Sequence, residues 1–478
     1  MSADRPNIIL FTTDQHRGDH LSIAGHPVIE TPNLDAMARR GAYFPNAYSE
    51  IPSTTGARRI LHSGKTTYNC GLIGYAGIEW HEPNTLAAVL AQVGYHCINV
   101  GWRNMHPRRK LYGYHSVIPH DLHKGDDDYM DWLEQQVGPE AFERGHGSDA
   151  NGWLGRPWHL EERLHPTVWT VDVALDQIAK RDPTKPLFIW VSHLRPHSPY
   201  DPPQFYWDMY MSRDIPKPAI GDWCEKYRRP GVPPDRTAWC GELTAERIRR
   251  MRAGYMGCIS HIDYEMGRME ELLARIDRAL AQNTAWLMTA DHGDMMGDHW
   301  LLRKSYAFEG SARIPFVVRY PKGWEAPTGT FEQPVGIQDV MPTLLEFAGA
   351  QWPEGMTGDS VLKAVRGEGW REWIHGEHSP CYDDYNAMQF VTDGREKYIW
   401  YPRTGEEQFF DLTQNRDELH NAIGDADRQE RIGVWRQRLI ELLGARGDGF
   451  SDGERLLLRE DKYESRIEVN AENLAARG

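Results

Sequence analysis

Cysteine is scarce in this chain: six in 478 residues, at positions 70, 97, 224, 240, 258 and 381, with no CxxC pair and no regular spacing. That excludes a zinc knuckle and a disulfide framework. No apolar run approaches the length of a membrane span. The run at residues 8–11 is too short for a signal-peptide core, and it has neither a basic start nor a cleavage site. Positive charge is in deficit, with a formal net charge of −15. A nucleic-acid surface would need a basic stripe, whereas a local positive pocket for a small anion is compatible with an acidic protein. Internal repeats and low-complexity tracts are lacking. The expectation is a soluble, cytoplasmic protein without a nucleic-acid or membrane partner.

What the chain does have is a large apolar complement, 40% hydrophobic with 18 Trp, enough for one large α/β domain with an appendage. Residues 7–15 read as a continuous buried strand ending in Asp14. Asp14 is a cation-ligand candidate, with a helix cap or turn as the alternative. Residues 31–41 carry the punctuation of a capped helix, with Pro32 just inside and Gly41 at the end. Residues 42–48 read as a second strand. Residues 51–64 place hydroxyls before helix formers, which suits either a nucleophile or anion site at a helix N-terminus or a plain N-cap.

Further on, residues 85–94 predict a helix and residues 95–100 a strand. Residues 121–155 predict a surface excursion, with Asp126, Asp127 and Asp128 as a solvated helix start. A helix at 168–180 and a central strand at 186–192 lead to His193 and His197. Residues 202–243 read as an irregular lid or specificity loop, and residues 246–276 as a long helix. The run 285–288 makes a buried strand whose end carries Asp291 and His292, a normal pair for a divalent cation, with Lys304 thirteen positions after Asp291. A strand at 314–320 and a helix starting at 338–345 follow. The alternation predicts an α/β fold, a large and mostly parallel sheet sandwiched by helices. Ligands in such sheets bind at the strand ends.

The domains expected are a catalytic domain over 1–370 and a C-terminal subdomain over 371–450, with short antiparallel strands at 388–391, 397–401 and 408–412 and a helix at 428–443. Residues 451–478 are expected to form a loose tail or an arm onto a second subunit of a homo-oligomer.

Together, residues 7–15, 31–35, 54–64, 196–199, 291–304, 338–345 and 407–412 resemble the sulfatase branch of the alkaline phosphatase superfamily. The resemblance implies that fold, a small anionic ester as substrate, and one divalent cation (Mn, Ca, Mg or Zn) held by Asp14, Asp291, His292 and the nucleophile. It aligns Thr54 with the cysteine or serine that sulfatases convert to formylglycine, Pro52 lying two residues ahead of it. The branched carbon of threonine cannot become that aldehyde, so no formylglycine is expected. A plain hydroxyl forms a covalent adduct that water must hydrolyse. Gln15, in place of a second aspartate, and the step from Asp291 to Lys304 are similar to phosphonate monoester and phosphodiester hydrolases.

The expected activity is therefore metal-dependent hydrolysis of phosphate monoesters, diesters or phosphonate esters through Thr54. The alternatives are a sulfatase working without formylglycine and a catalytically silent binding protein. By the same resemblance Arg58 orients the nucleophile or ester, Lys304 neutralises the transferred group, His197 protonates the leaving oxygen, and Gln15, Asn104 and His106 contact substrate. For Asp294, His299 and His193, structural and catalytic roles both stand.

Overall fold

The computed structural model describes residues 5–75, 79–122, 125–140, 142–232, 234–461 and 463. Its strands, in chain order, are β1 (Asn7–Asp14), β2 (Gly41–Tyr43), β3 (Ala47–Tyr48), β4 (His96–Trp102), β5 (Ser116–His120), β6 (Leu187–Pro196), β7 (Thr284–Ala290), β8 (Phe316–Arg319), β9 (Gly329–Thr330) and β10 (Val335–Gly336), followed by β11 (Ile374–His378), β12 (Met388–Thr392), β13 (Glu396–Trp400) and β14 (Glu407–Asp411). The main sheet runs β5-β4-β6-β1-β7-β8-β2-β9. Its core pairs, β1 with β6 and β7 and β4 with β5 and β6, are parallel. β8 runs antiparallel to both β7 and β2.

β1 and β6 are buried along nearly their whole length because helices cover both faces, so they read as unbroken apolar runs rather than alternating ones. The register sets Thr12 opposite Ser192 and Thr289. The carboxyl ends of β1, β6 and β7 therefore reach one edge together.

Three expectations need correction. The strand expected at residues 42–48 is broken around Pro45: β2 joins the main sheet, while β3 pairs with β10 in a separate two-stranded sheet. The acidic run is a helix start that is solvated only in part, at Asp126 and Asp128. Asp127 is fully buried, caps the helix Asp128–Val137 through the Met130 amide, and accepts from the amides of Asp121 and Leu122. The excursion around it carries Glu143 into the core, beside His120 and Arg195.

The C-terminal sheet, β11-β12-β13-β14, is antiparallel, with the unforeseen edge strand β11 added to the three expected. It packs against the helix Gln429–Arg446 on one side. On the other, Ile374, Phe390, Ile399 and Phe410 share a core with Met295, Leu301, Tyr306 and Phe308 of the loop after β7. In the expected arm, Tyr463 is buried edge-on against Phe450 of the same chain, and residues 464–478 lie outside the described residues. Among the described residues no helix is long and apolar enough to cross a membrane.

Candidate active site

Two strand ends and one helix start build the site. Asp14 closes β1, Asp291 and His292 follow β7, and Thr54 is the first residue of the helix Thr54–Ser63. The N-cap, Ser53, makes no side-chain cap bond. The Thr54 hydroxyl, first in the helix, lies 3.1 Å from His292 Nε2.

His292 Nδ1 donates to the Gly293 carbonyl at 2.8 Å, which fixes the tautomer and leaves Nε2 a bare acceptor facing Thr54, Asp14 Oδ1 (3.5 Å) and Asp291 Oδ1 (3.7 Å). Burial holds its pKa down at about 4. Asp14 Oδ1 and Asp291 Oδ2 are buried without a hydrogen-bond partner. Asp14, Asp291 and His292 can each present a ligand atom within 4.8 Å of the others. One carboxylate oxygen each from Asp14 and Asp291 and the unprotonated imidazole nitrogen of His292, close together in a buried space, form a donor set that fits a divalent cation. Burial and repulsion from Asp291 push the Asp14 carboxyl well above the usual carboxylate range. Two carboxylates this close do not both ionise readily unless a cation joins them.

Arg58, fully buried one turn into the helix, lies beneath the pair. Its Nε is 3.4 Å from Asp291 Oδ2 and its Nη2 3.7 Å from Asp14 Oδ2, while Nη1 donates to Thr12 and Ser192. Gln15 adopts left-handed backbone (φ +67°), a conformation that cramps a non-glycine residue and is held here by its surroundings. Its amide donates to Asp291 Oδ1, and its side-chain Nε2 donates to Asp294 Oδ2 and to the Tyr200 hydroxyl. Asp294 thus has a bracing role, accepting also from the amides of Met296 and Arg303.

Lys304 Nζ donates to Gln15 Oε1 at 3.0 Å and to His197 Nε2 at 2.6 Å. His197 Nδ1 donates to the Ser198 carbonyl, so the shared proton sits on Lys304. Burial, outweighing Asp14, lowers the Lys304 pKa.

Asn104, also left-handed (φ +47°), reaches the Thr55 hydroxyl at 3.5 Å. His106 is anchored by its carbonyl, which accepts from the Trp80 amide and the Tyr112 hydroxyl. His193 packs on Phe11, and His299 accepts from the Gly221 amide and packs on Trp223 and Phe308; both are core histidines. Trp102 was not foreseen. Its indole N–H donates to Asp14 Oδ2 at 2.6 Å, a contact between β4 and β1 for which the sequence carries no local signal.

Comparison with known proteins agrees with this geometry. The family model described as Sulfatase matches residues 6–350, and one described as N-sulphoglucosamine sulphohydrolase, C-terminal, matches 297–444. An arylsulfatase of Clostridium perfringens is 39% identical over 475 residues, covering 95% of this chain and 97% of the relative. A choline-sulfatase of Rhizobium meliloti is 26% identical, covering 88% and 83%. The solved phosphonate monoester hydrolase of Agrobacterium radiobacter superposes with a TM-score of 0.78 at 25% identity, over 92% of this chain and 96% of that one. With matches that span catalytic core and C-terminal sheet alike, this chain belongs to the sulfatase family, within the alkaline phosphatase superfamily, and is an ester hydrolase of that group.

Proposed function

We propose that the protein hydrolyses phosphate or phosphonate esters with Thr54 as an unmodified nucleophile. The observation that carries this reading is the Thr54 hydroxyl at 3.1 Å from His292 Nε2, at the mouth of the Asp14–Asp291–His292 triad. Asp14, Asp291 and His292 would hold a divalent cation, which when bound would supply Lewis acidity for the nucleophile and the ester oxygens. Thr54 Oγ1 gives up its proton to solvent and bonds to phosphorus as the P–O bond to the leaving group breaks. Lys304 balances the charge on the transferred group and gives its proton to the departing oxygen; His197 Nε2 holds the ammonium in place before transfer. Water then attacks phosphorus in the Thr54 adduct as the P–Oγ1 bond breaks; one of its protons returns to Lys304 and the other goes to Thr54 Oγ1, which regenerates the free hydroxyl. Arg58 stays beneath the carboxylates and keeps them apart from the ester, while Gln15 ties Lys304 to Asp294.

Thr54→Ala is expected to abolish hydrolysis of a bis-aryl phosphodiester while fold and metal content are retained, and Thr54→Ser to keep turnover. Unchanged turnover in Thr54→Ala would remove Thr54 from the nucleophile role. A second reading, hydrolysis of aryl sulfates by the same hydroxyl, is favoured by the 39% identity to the clostridial arylsulfatase. Assaying aryl sulfate, phosphate monoester, diester and phosphonate in parallel, with Mn, Ca, Mg or Zn added, separates the two.

A further inference from the structure

Gln15 joins the candidate cation ligands to Lys304. Its backbone N–H donates to Asp291 Oδ1 at 3.0 Å, and its side-chain Oε1 accepts from Lys304 Nζ at 3.0 Å. Both bonds depend on the left-handed turn at Gln15, φ +67°. That conformation is unfavourable for a residue with a Cβ and has to be held from outside.

Two buried tyrosines hold it. Tyr255 lies within the long helix Ala245–Ile276 and is fully buried. Its hydroxyl donates to the Gln15 carbonyl at 2.6 Å and accepts from the Arg17 N–H at 2.9 Å, so one oxygen spans the turn at residues 15–17. Arg17 is itself tied down, its guanidinium paired with Asp19 and Asp298. The hydroxyl therefore bridges a fixed donor and the strained carbonyl. Tyr200, just beyond β6, acts on the side chain instead. Its hydroxyl donates to Asp294 Oδ2 at 2.7 Å and accepts from Gln15 Nε2 at 3.2 Å. With Nε2 committed to Tyr200 and Asp294, Oε1 is the end of the amide that faces Lys304. The two rings meet edge to face at 5.7 Å, a packing that couples one clamp to the other.

We propose that Tyr255 is a positioning residue of the active site: by holding Gln15 in its left-handed turn it fixes Asp291 and Lys304 relative to each other, while Tyr200 sets which end of the Gln15 amide Lys304 meets. The proposal rests on the reading of Asp14, Asp291 and His292 as a cation site and of Lys304 as part of the hydrolytic machinery. Both tyrosines act through Gln15. Glycine at position 15 would enter the same turn unaided and would keep the N–H that Asp291 accepts from, so the requirement for Tyr255 disappears with it.

The test reads Mn affinity by calorimetry, and kcat on whichever aryl ester the protein turns over fastest, in folded protein well below its urea midpoint. Tyr255→Phe keeps the ring and removes only the hydroxyl. It is expected to weaken Mn binding about tenfold, as for loss of a group that orients a ligand, and to lower kcat by about tenfold or more. Tyr200→Phe leaves the Gln15 backbone alone; kcat is expected to fall about as far, with Mn affinity within about twofold of wild type. In a Gln15→Gly background, adding Tyr255→Phe is expected to change Mn affinity by no more than about twofold. A folded Tyr255→Phe protein that is less stable in urea, yet keeps wild-type Mn affinity and kcat, would overturn the proposal. So would a loss of Mn affinity that persists undiminished in the Gln15→Gly background, because it would place the effect outside Gln15. Where Tyr255→Phe alone does not fold, Gln15→Gly/Tyr255→Phe is expected to fold and bind Mn like Gln15→Gly, and its failure to do so also overturns the proposal. Mn binding is read without turnover: the expected pattern of affinities in a protein that hydrolyses no ester would support the proposal and count against the hydrolase reading alone.

Discussion

Lys397 lies in the C-terminal sheet, fully buried, and all three of its N–H bonds are taken: by the Ala307 carbonyl at 2.9 Å, Glu309 Oε1 at 2.8 Å and Glu418 Oε1 at 2.9 Å. Replacing it with Met keeps the length and removes the charge. The Ala307 carbonyl then loses its charged donor, a desolvation cost of about 1–3 kcal/mol. Glu309 keeps Arg313 at 3.5 Å and Arg416 at 3.8 Å, so its carboxylate is only partly stranded. Burial, with Lys397 and Glu309 pulling in opposite directions, pushes Glu418 up to about 7. It therefore relieves its own charge by taking a proton. Between these terms and the loss typical of a broken buried pair, Lys397→Met is expected to cost about 4 kcal/mol. Urea unfolding with an unchanged m-value measures it.

Adding Glu418→Gln, which supplies the neutral form in advance, is expected to recover about half of that loss. Because Ala307 and Glu309 lie just beyond Lys304 on one loop, kcat is expected to fall in the single variant even well below its unfolding midpoint. A loss under about 1 kcal/mol, or full activity in the folded variant, would refute the argument that this lysine sets the loop.

Gly101→Ala adds a Cβ 2.1 Å from the Ser192 oxygen at φ +96°, and is expected to cost at least about 3 kcal/mol in the same unfolding assay. Glu143 is opposed by burial, but His120 and Arg195 hold its pKa at about 2. Its folded-state pKa is depressed, so its contribution is full above the unfolded value near 4.5 and is lost as pH falls toward 2. Glu143→Gln is then expected to cost roughly 3 kcal/mol at pH 7 and much less at pH 3, read from urea midpoints at both pH values. Chelation of the cation is expected to lower the Tm and added Mn to restore it, by about 2.7 kcal/mol at a hundredfold excess over the Kd, in a calorimetric scan. A Tm indifferent to chelator in a protein that contains metal would contradict the triad as the binding site.

How much of this was legible beforehand follows from what each residue depends on. Asp14 and Asp291 could be found because each ends an apolar run, and buried parallel strands advertise themselves as such runs. Thr54, Arg58, Gln15, His197 and Lys304 came through the resemblance, and the structure gathers them around the triad. The reversal of β8 was not legible, because an antiparallel neighbour on a covered sheet reads as the same apolar run. Nor was the break near Pro45, since the residues on both sides remain buried. Asp127 looked solvated because its partners are amides, which a sequence does not display. The contact of Trp102 with Asp14 was invisible because its partner sits 88 residues away.

The Lys397 anchor also fixes an order of events during synthesis. The carbonyl it holds belongs to Ala307, ninety residues upstream, and the strands that fill the core beneath the loop, β11 to β14, all follow that loop in the chain. A nascent chain released from the ribosome through Arg319 already contains Asp14, Thr54, Asp291, His292 and Lys304, and the partners of Lys304, Gln15 and His197, yet the loop that carries the lysine lacks its Lys397 anchor. The site is completed last, by residues that never touch the ester. A truncated translation product would keep the candidate metal ligands Asp14, Asp291 and His292 without the Lys397 anchor of the loop.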